Sequence, residues 1–511
     1  MWGWRSSRTV VVGVTGVIFA VCCLLPVAYL CTTSLAGMQG AITALWLDAR
    51  QRTLLYNTAL LGIGAALLST AIGAPLGITL ARVPLKRKTA IRVVLAAPMV
   101  LPPYVMALSW VYLGTSWTYT LPAAIVVLSA VFYPLPMLAT EVAFRRIDAR
   151  LEEAALVVAP RRLVLRRILL PLAAPVVSAA SLIVFVLAIS EFGVPGLLRV
   201  RVYTTEVFTA FAALYDFSRA ILLAVPLLAL ASGVGAVAAG TLGDRLVSAR
   251  RATGSHPPLF DHWGRRARVA IAVVIVSAVA LPTVVLAREA LQSRSLSALL
   301  DGSGEAIANS VLFSAVGATI VVAVATVLGY ARARARGRSA TLSDILFVVI
   351  FAVPSTIVGV GLIGVWNRPG IAGSVYGTDA MFILAYLARF LPVAALILAA
   401  AVRYVPISHE EAAAVAGAGW LRMVRRILLP QLRLGVAATW VVVFVLSFGE
   451  LGASILIAPP GEATLPIRVY TLIANAPPAQ VAALALLQAT VVLTPVGMLA
   501  SLASLRRSEE R

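Results

Sequence analysis

Charge is what this chain has least of. Only 12% of its 511 residues are Asp, Glu, Lys or Arg, where a soluble domain carries roughly a quarter. Acids number 21, and the only lysines are Lys86 and Lys88. Cysteine occurs three times, at Cys22, Cys23 and Cys31, all in one apolar run, so a disulfide framework has no distant partner to use. The three histidines, His256, His262 and His409, fall in polar gaps, which excludes a histidine-based metal site inside any apolar segment; no metal site is assigned. Lys88-Thr89 could end a phosphate-binding loop, but Arg87 stands where that loop needs glycine. No nucleotide site and no catalytic residue are therefore expected in this chain.

Apolar residues fill the space, at 61% of the total. Runs such as 10–30, 53–80 and 270–286 are as long as a hydrocarbon core about 30 Å thick requires of a helix. Bounded by charged or turn residues, twelve spans are predicted, over 9–33, 53–80, 92–114, 120–142, 174–198, 220–243, 269–287, 306–330, 344–366, 380–402, 435–458 and 480–504. The first is too long for a signal-peptide core and no small-residue cleavage site follows, so it reads as a retained anchor. The fold class expected is an all-α polytopic membrane protein, which excludes a soluble enzyme.

A net charge of +21 would suggest nucleic acid in a soluble protein. Here the cations sort by topology. If the N-terminus is cytoplasmic, 32 of the 42 Lys and Arg residues lie before the first span, in alternate gaps (82–92, 145–167, 245–268, 332–338, 403–433) or after the last span. The opposite side holds nine, and Arg389 lies within a span. This is the positive-inside bias, and it places both termini in the cytoplasm. The partner implied is membrane lipid, and nucleic acid is not needed.

The chain also repeats itself. Asn57-Thr58 matches Asn309-Ser310, Ala81-Arg82 matches Ala333-Arg334, Pro136 matches Pro392, and Ser190-Glu191-Phe192-Gly193 matches Gly449-Glu450-Leu451-Gly452; the offset drifts only from 252 to 259. Six spans per half is an even number, so the halves point the same way, as parallel repeats related by an axis along the membrane normal. The predicted division is a first repeat over 1–243, a cytoplasmic linker over 244–268 and a second repeat over 269–511.

One charged passage occurs twice, as EEAALVVAPRRLVLRRILLP at 152–171 and EEAAAVAGAGWLRMVRRILLP at 410–430, each in the gap between the fourth and fifth spans of its half. Ser408 followed by Glu411 is a capping-box pattern that predicts a helix start there. The paired acids suit the positive end of that helix. Gly417 and Gly419 break the second copy, and Pro160 breaks the first, since the residue before a proline avoids the helical region. The expected shape is a short helix, a turn and a second helix beneath the bilayer. An ordinary membrane-surface loop is the alternative, weakened by the duplication.

These loops resemble the EAA motif of ABC-importer membrane subunits, with Glu-Ala-Ala, three residues, Gly, nine residues, then Ile-x-Leu-Pro. Glu411-Ala412-Ala413, Gly417 and Ile427-Leu428-Leu429-Pro430 match without a gap; Glu153-Ala154-Ala155 and Ile168-Leu169-Leu170-Pro171 match one residue short, with Ala159 in place of Gly. The resemblance implies a type I ABC-importer permease fold of two parallel six-helix repeats in a bacterial or archaeal cytoplasmic membrane. It further implies that Glu152, Glu153, Ala154, Ala155 and Ala159, with Glu410, Glu411, Ala412, Ala413 and Gly417, couple the chain to two copies of a cytoplasmic ABC ATPase. ATP and magnesium would then belong to those subunits, with no cofactor on this chain. A periplasmic or lipid-anchored substrate-binding protein would deliver the solute. The EFG- and ELG-type segments and the ending LPIRVYTLIANAPPAQVAALALL are similar to ferric-iron importer permeases and their thiamine relatives; phosphonate, sulfate and polyamine importers stay open, as does an ion-driven secondary transporter.

Polar residues within spans complete the candidates. Glu191 and Glu450 lie toward the outer ends of the fifth and eleventh spans, where an acid costs enough to be a functional candidate. They could contact substrate, gate its path, or make a structural bond. Two acids suit a cation. Arg389 could pair with an acid, line the path or simply snorkel, and its counterpart in the first half is Tyr133. Asn57 and Asn309 read as helix caps or interhelical bonds. Arg201-Val-Tyr203 and Arg468-Val-Tyr470, on the outer side, suit either a docking protein or interfacial anchoring.

Overall fold

The computed structural model describes residues 2–37, 48–242, 264–292 and 302–509. Among these, all regular structure is helical. In lipid a backbone has no water to bond with, and the helix satisfies it within one segment. Nine described helices are long and apolar enough to cross a membrane, and three bent pairs bring the number to twelve if each pair is one span. They fall on the twelve predicted segments. Most of the predicted linker, residues 244–263, lies outside the described residues, and Gly264 already opens the seventh span, Gly264–Ala290.

Several predicted spans are not continuous. In the third, Lys88–Val100 turns by 86° into Pro103–Tyr112, and in the ninth, Arg338–Ala352 turns by 95° into Ser355–Trp366. The fourth bends by 43° between Leu121–Phe132 and Pro134–Arg146. The fifth and eleventh helices stop at Ser190 and Phe448, and short helices, Gly193–Leu197 and Ser454–Ile457, finish the segments. The sharpest turns have one cause in both halves. Pro102 and Pro354 force the preceding Leu101 and Val353 into extended backbone, at ψ 137° and 124°.

A second device repeats with the halves. Four π-turns, Ala20–Leu24, Leu165–Leu169, Val276–Ala280 and Val424–Leu428, each run directly into Leu-Pro. The leucine N–H of Leu25, Leu170, Leu281 and Leu429 bonds five residues back, to the carbonyls of Ala20, Leu165, Val276 and Val424. A proline has no N–H and its ring clashes with the carbonyl four residues earlier. The wider π-turn takes up that clash, so each helix continues past its proline. The Ile-x-Leu-Pro ending of each charged loop is thus the entry of a span.

The halves exchange their first spans. The first span, Ser7–Ser34, packs on the second half: Phe19 meets the Phe347 ring edge-on at 5.3 Å, and Cys23 Sγ donates to the Leu387 carbonyl at 3.5 Å. Reciprocally, Ile271 and Ala278 of the seventh span share a core with Leu76, Leu80, Leu95 and Met137 of the first half. Within each half the second span (Ala49–Arg82; Gly304–Arg334 as the eighth) lies tightly on the fourth (Leu121–Phe132 with Pro134–Arg146; Ala380–Arg403 as the tenth). Glycine permits that approach, as small residues do at membrane helix interfaces. A Cβ on Gly329 would sit 2.9 Å from both the Ala395 carbonyl oxygen and the Ala399 nitrogen, which are backbone atoms and cannot swing away.

Gly329→Ala is therefore expected to lower the thermal midpoint of the purified protein by an amount equivalent to about 1–3 kcal/mol of overpacking. Gly233→Ala, where an added Cβ meets nothing within 4 Å, is expected to leave it unchanged. Size-exclusion profiles recorded after stepwise heating compare the two; equal behaviour would contradict the packing assignment.

Candidate functional site

Both charged loops fold as a lever. In the first, a helix over Ala149–Val158 ends at Ala159, the chain passes Pro160 in extended form, and Arg161 opens the fifth span. Asp148 caps it, its carboxylate accepting from the Arg150 N–H at 3.0 Å. In the second, the helix is Ile407–Val415, Gly417 turns the chain at φ +75°, and Trp420 opens the eleventh span. The capping box predicted at Ser408 is not formed. The helix starts earlier, with Pro406 as its N-cap and no side-chain cap bond, because an N-terminal proline surrenders only an N–H that would have no helical partner.

The two acids of each pair do different things. Glu152 is fully buried and accepts from Arg82 Nη2 at 2.8 Å. That guanidinium also donates to the Phe144 carbonyl at 2.7 Å and lies over the Phe144 ring at 5.8 Å. Glu410 repeats the arrangement: Arg334 Nε donates to it at 2.8 Å, Arg334 Nη2 donates to the Val405 carbonyl at 3.0 Å, and the Tyr330 hydroxyl adds a bond at 2.8 Å. In each half one arginine at the end of the second or eighth span ties together that span, the lever and the chain leaving the fourth or tenth span. Charge-assisted bonds of this kind are among the stronger ones available. Across the halves, Arg146 Nη2 donates to the Tyr404 hydroxyl at 2.9 Å.

The opposite face of each lever is open. Glu153, Ala154 and Val157 are exposed, as are Glu411, Ala412 and Val415, and the two valines stand 86% and 89% in the open. Ala155 and Ala413 face inward with the anchoring acids, Ala159 is half-buried, and Gly417 is exposed at the turn.

The third, fifth, ninth and eleventh spans converge at their breaks. Glu191 follows the fifth helix directly; one carboxylate oxygen accepts from the Gly193 and Val194 N–H groups at 2.9 and 3.4 Å. Glu450 accepts from the Ala453 N–H at 2.9 Å. Each acid thus satisfies backbone that its own helix break has freed. Arg389 joins two breaks, its Nη1 donating to the Val353 carbonyl at 2.8 Å while its Nε lies 3.4 Å from Glu450 Oε2. A Cβ on Gly193 would meet Tyr104 at 2.9 Å and Leu451 at 3.4 Å, and one on Gly449 would meet Pro102 at 3.3 Å, so the first half's breaks abut those of the second. Tyr133 lies apart from this cluster: it is buried, and its hydroxyl is spent on the Leu95 carbonyl at 2.7 Å.

At the end of the spans away from the levers, Asn57 donates to the Arg201 carbonyl at 3.0 Å and Asn309 to Glu462 at 2.6 Å. Thr58 and Ser310 next to them accept from the Tyr203 and Leu465 N–H groups at 3.0 and 2.5 Å. Beyond the breaks lies a cavity of about 380 Å³ between the halves, lined by Tyr112, Tyr119, Gly196, Arg199, Tyr470 and Ala476 among others.

A family model described as the binding-protein-dependent transport system inner membrane component matches residues 73–232 and 322–507. The chain belongs to this family. It is the permease of a binding-protein-dependent ABC importer, a multi-pass inner-membrane protein, and the two matches are its two repeats. Each match contains one lever and one set of helix breaks, while the exchanged first and seventh spans lie outside both. The permease is 24% identical over 428 residues to the Fe(3+)-transport system permease protein FbpB 2 of Haemophilus influenzae, covering 82% of this chain and 84% of that one. It is 33% identical over 187 residues to the putative ABC transporter permease protein ORF1 of Streptomyces antibioticus, covering 36% of this chain and 77% of that one. It is 28% identical over 207 residues to the molybdenum transport system permease protein ModB of Mycobacterium tuberculosis, covering 38% and 78%.

Sequence reasoning about the permease matched Arg82 with Arg334 but missed what they hold, and it did not separate Glu152 from Glu153. Helical spacing carried the second signal: 152, 155 and 159 fall on one face, and 153, 154 and 157 on the other. Removing Glu152 would leave a buried guanidinium without its counter-ion, a loss of about 3–5 kcal/mol. Glu152→Ala and Glu410→Ala are expected to lower the thermal midpoint and the yield of folded permease, whereas Glu153→Ala and Glu411→Ala are expected to leave both intact. Denaturation profiles of the four variants decide it; equal losses in all four would contradict the anchoring role.

Proposed function

We propose that this permease imports ferric iron, driven by two copies of a cytoplasmic ABC ATPase and supplied by a periplasmic or lipid-anchored binding protein. The observation that carries the substrate is the relationship to a ferric-iron permease across most of both chains, which for the other relatives covers little more than a third of this one. The central cluster suits the same reading, since two carboxylates meeting at helix breaks offer oxygen ligands to a hard cation. Glu191 engages its backbone donors through one oxygen only, which leaves the second for a passing ion. Arg389 lies beside Glu450 and would compete with that ion, so the pair acts as a gate.

The ATPases dock on the open lever faces, with Glu153 and Glu411 as polar contacts, Ala154 and Ala412 allowing close approach, and Val157 and Val415 as apolar anchors. Bound ATP and magnesium stay on those subunits. Because Arg82 and Arg334 join each lever to the second or eighth span, a push on the lever moves the span. The arginine-rich side of the molecule, with both levers and both termini, faces the cytoplasm, and 1–243 and 269–511 form two repeats joined by the connector 244–268.

The double variant Glu153→Lys with Glu411→Lys is expected to insert normally and to lose both its co-purifying ATPase and uptake into vesicles; undiminished uptake would overturn the docking assignment. Glu191→Gln and Glu450→Gln are expected to change iron uptake while the ATPase still co-purifies, and two silent variants would make both acids purely structural. Calorimetry of the partner binding protein tests the substrate. Binding of ferric iron supports the proposal, and binding of thiamine, a phosphonate, sulfate or a polyamine instead overturns the substrate while leaving the importer class.

A further inference from the structure

One groove of the second half is lined by residues that the repeat does not carry in the first. Between the eleventh span and the last helix, Pro478–Glu509, lies an open groove of about 580 Å³. Leu429, Val436, Trp440, Pro495 and Met498 are among its walls, and Arg433 is the one charged side chain in it. The Trp440 indole is fixed by donating to the Thr319 hydroxyl at 3.0 Å, and its ring stacks on Phe444 at 5.3 Å, so this wall is rigid. Arg433 is exposed and forms no ion pair or hydrogen bond among the described residues.

Its depth is defined by the helix. Arg433 stands four residues past Leu429, where the π-turn ends, or about 6 Å along a helix rising 1.5 Å per residue. The groove therefore begins at the arginine-rich face of the membrane and runs inward along apolar side chains. A guanidinium on a long stem at that depth reaches up to the head-group layer. The offset of 259 that relates Leu170 to Leu429 puts Ala174 opposite Arg433 and Ser181 opposite Trp440. The first half has neither the cation nor the aromatic wall.

We propose that this groove is a binding site for one anionic phospholipid, with an acyl chain along Val436 and Trp440 and the phosphate on Arg433. A cation with no partner among the described residues, at the mouth of an apolar groove on the basic side of a membrane protein, has the charge and the depth that an anionic head group requires. One such lipid is expected per chain, because Ala174 and Ser181 stand at the repeat-related positions of the first half.

Full-length permease in nanodiscs of equal phosphatidylglycerol and phosphatidylcholine, released into native mass spectrometry, tests this. Wild type is expected to retain one phosphatidylglycerol in preference to phosphatidylcholine. Arg433→Gln is expected to reduce that preference about fivefold, the factor that ~1 kcal/mol for one basic residue represents, while Arg422→Gln on the adjoining segment retains it. Trp440→Ala, which removes the wall and keeps the charge, is expected to lower retention of both lipids. Equal retention of the two lipids by wild type, unchanged preference in Arg433→Gln, or displacement of the bound lipid by soluble glycerol phosphate would each overturn the proposal.

Discussion

In each half a single guanidinium is the joint on which the rest depends. Arg82 reaches the Phe144 carbonyl and the Glu152 carboxylate from the end of one span, and Arg334 reaches the Val405 carbonyl and Glu410 in the same way. Taking two charges out of water is expensive, and such a pair persists only with good geometry and further bonds for the remaining donors and acceptors. Here each guanidinium gains one further bond, from Arg82 Nη2 to the Phe144 carbonyl in the last turn of its helix and from Arg334 Nη2 to the Val405 carbonyl just past a helix end. Arg82 Nε and Nη1 are buried without a hydrogen-bond partner among the described residues. The cost of burial thus secures a fixed angle between a lever and two spans, which a simple apolar contact would not define.

Proline supplies the second constraint, and it acts in two opposite ways. Where a π-turn precedes it, as before Pro171 and Pro430, the helix runs on and the lever connects stiffly to the fifth or eleventh span. At Pro102 and Pro354, where the preceding residue is extended, the helix instead breaks by nearly a right angle. Breaks at membrane depth leave backbone groups that must be satisfied by protein. Glu191, Glu450 and Arg389 do this, so the residues that make the breaks tolerable are also those that bring charge to the centre.

Much of this was legible in the sequence, for a definite reason. Span length, the sorting of arginine and the duplication depend on composition and on spacing along the chain, and the helices fall where those signals put them. The breaks did not show, because Leu101-Pro102 and Val353-Pro354 sit in runs as apolar as any unbroken helix. Nor did the Arg82–Glu152 pair, whose members stand 70 residues apart and meet only because Gly77 lets the second and fourth spans approach. Matching Arg389 with Tyr133 by sequence was sound as alignment, yet the two side chains now make different bonds, one to Val353 and Glu450, the other to Leu95. A repeat preserves the frame while its polar residues diverge.

If the guanidinium joints hold, each lever and its neighbouring span move as one body, and motion appears only between the halves. Spin labels report this directly, because Leu151 and His409 on the levers, outside the docking residues, and Leu67 and Leu312 on the second and eighth spans are all exposed. Pulsed dipolar distances would be measured with the ATPase assembled, nucleotide-free and then trapped with ATP. The prediction is that the 151–67 and 409–312 distances stay fixed while the 151–409 distance changes. A change within either half as large as that between the levers would contradict it.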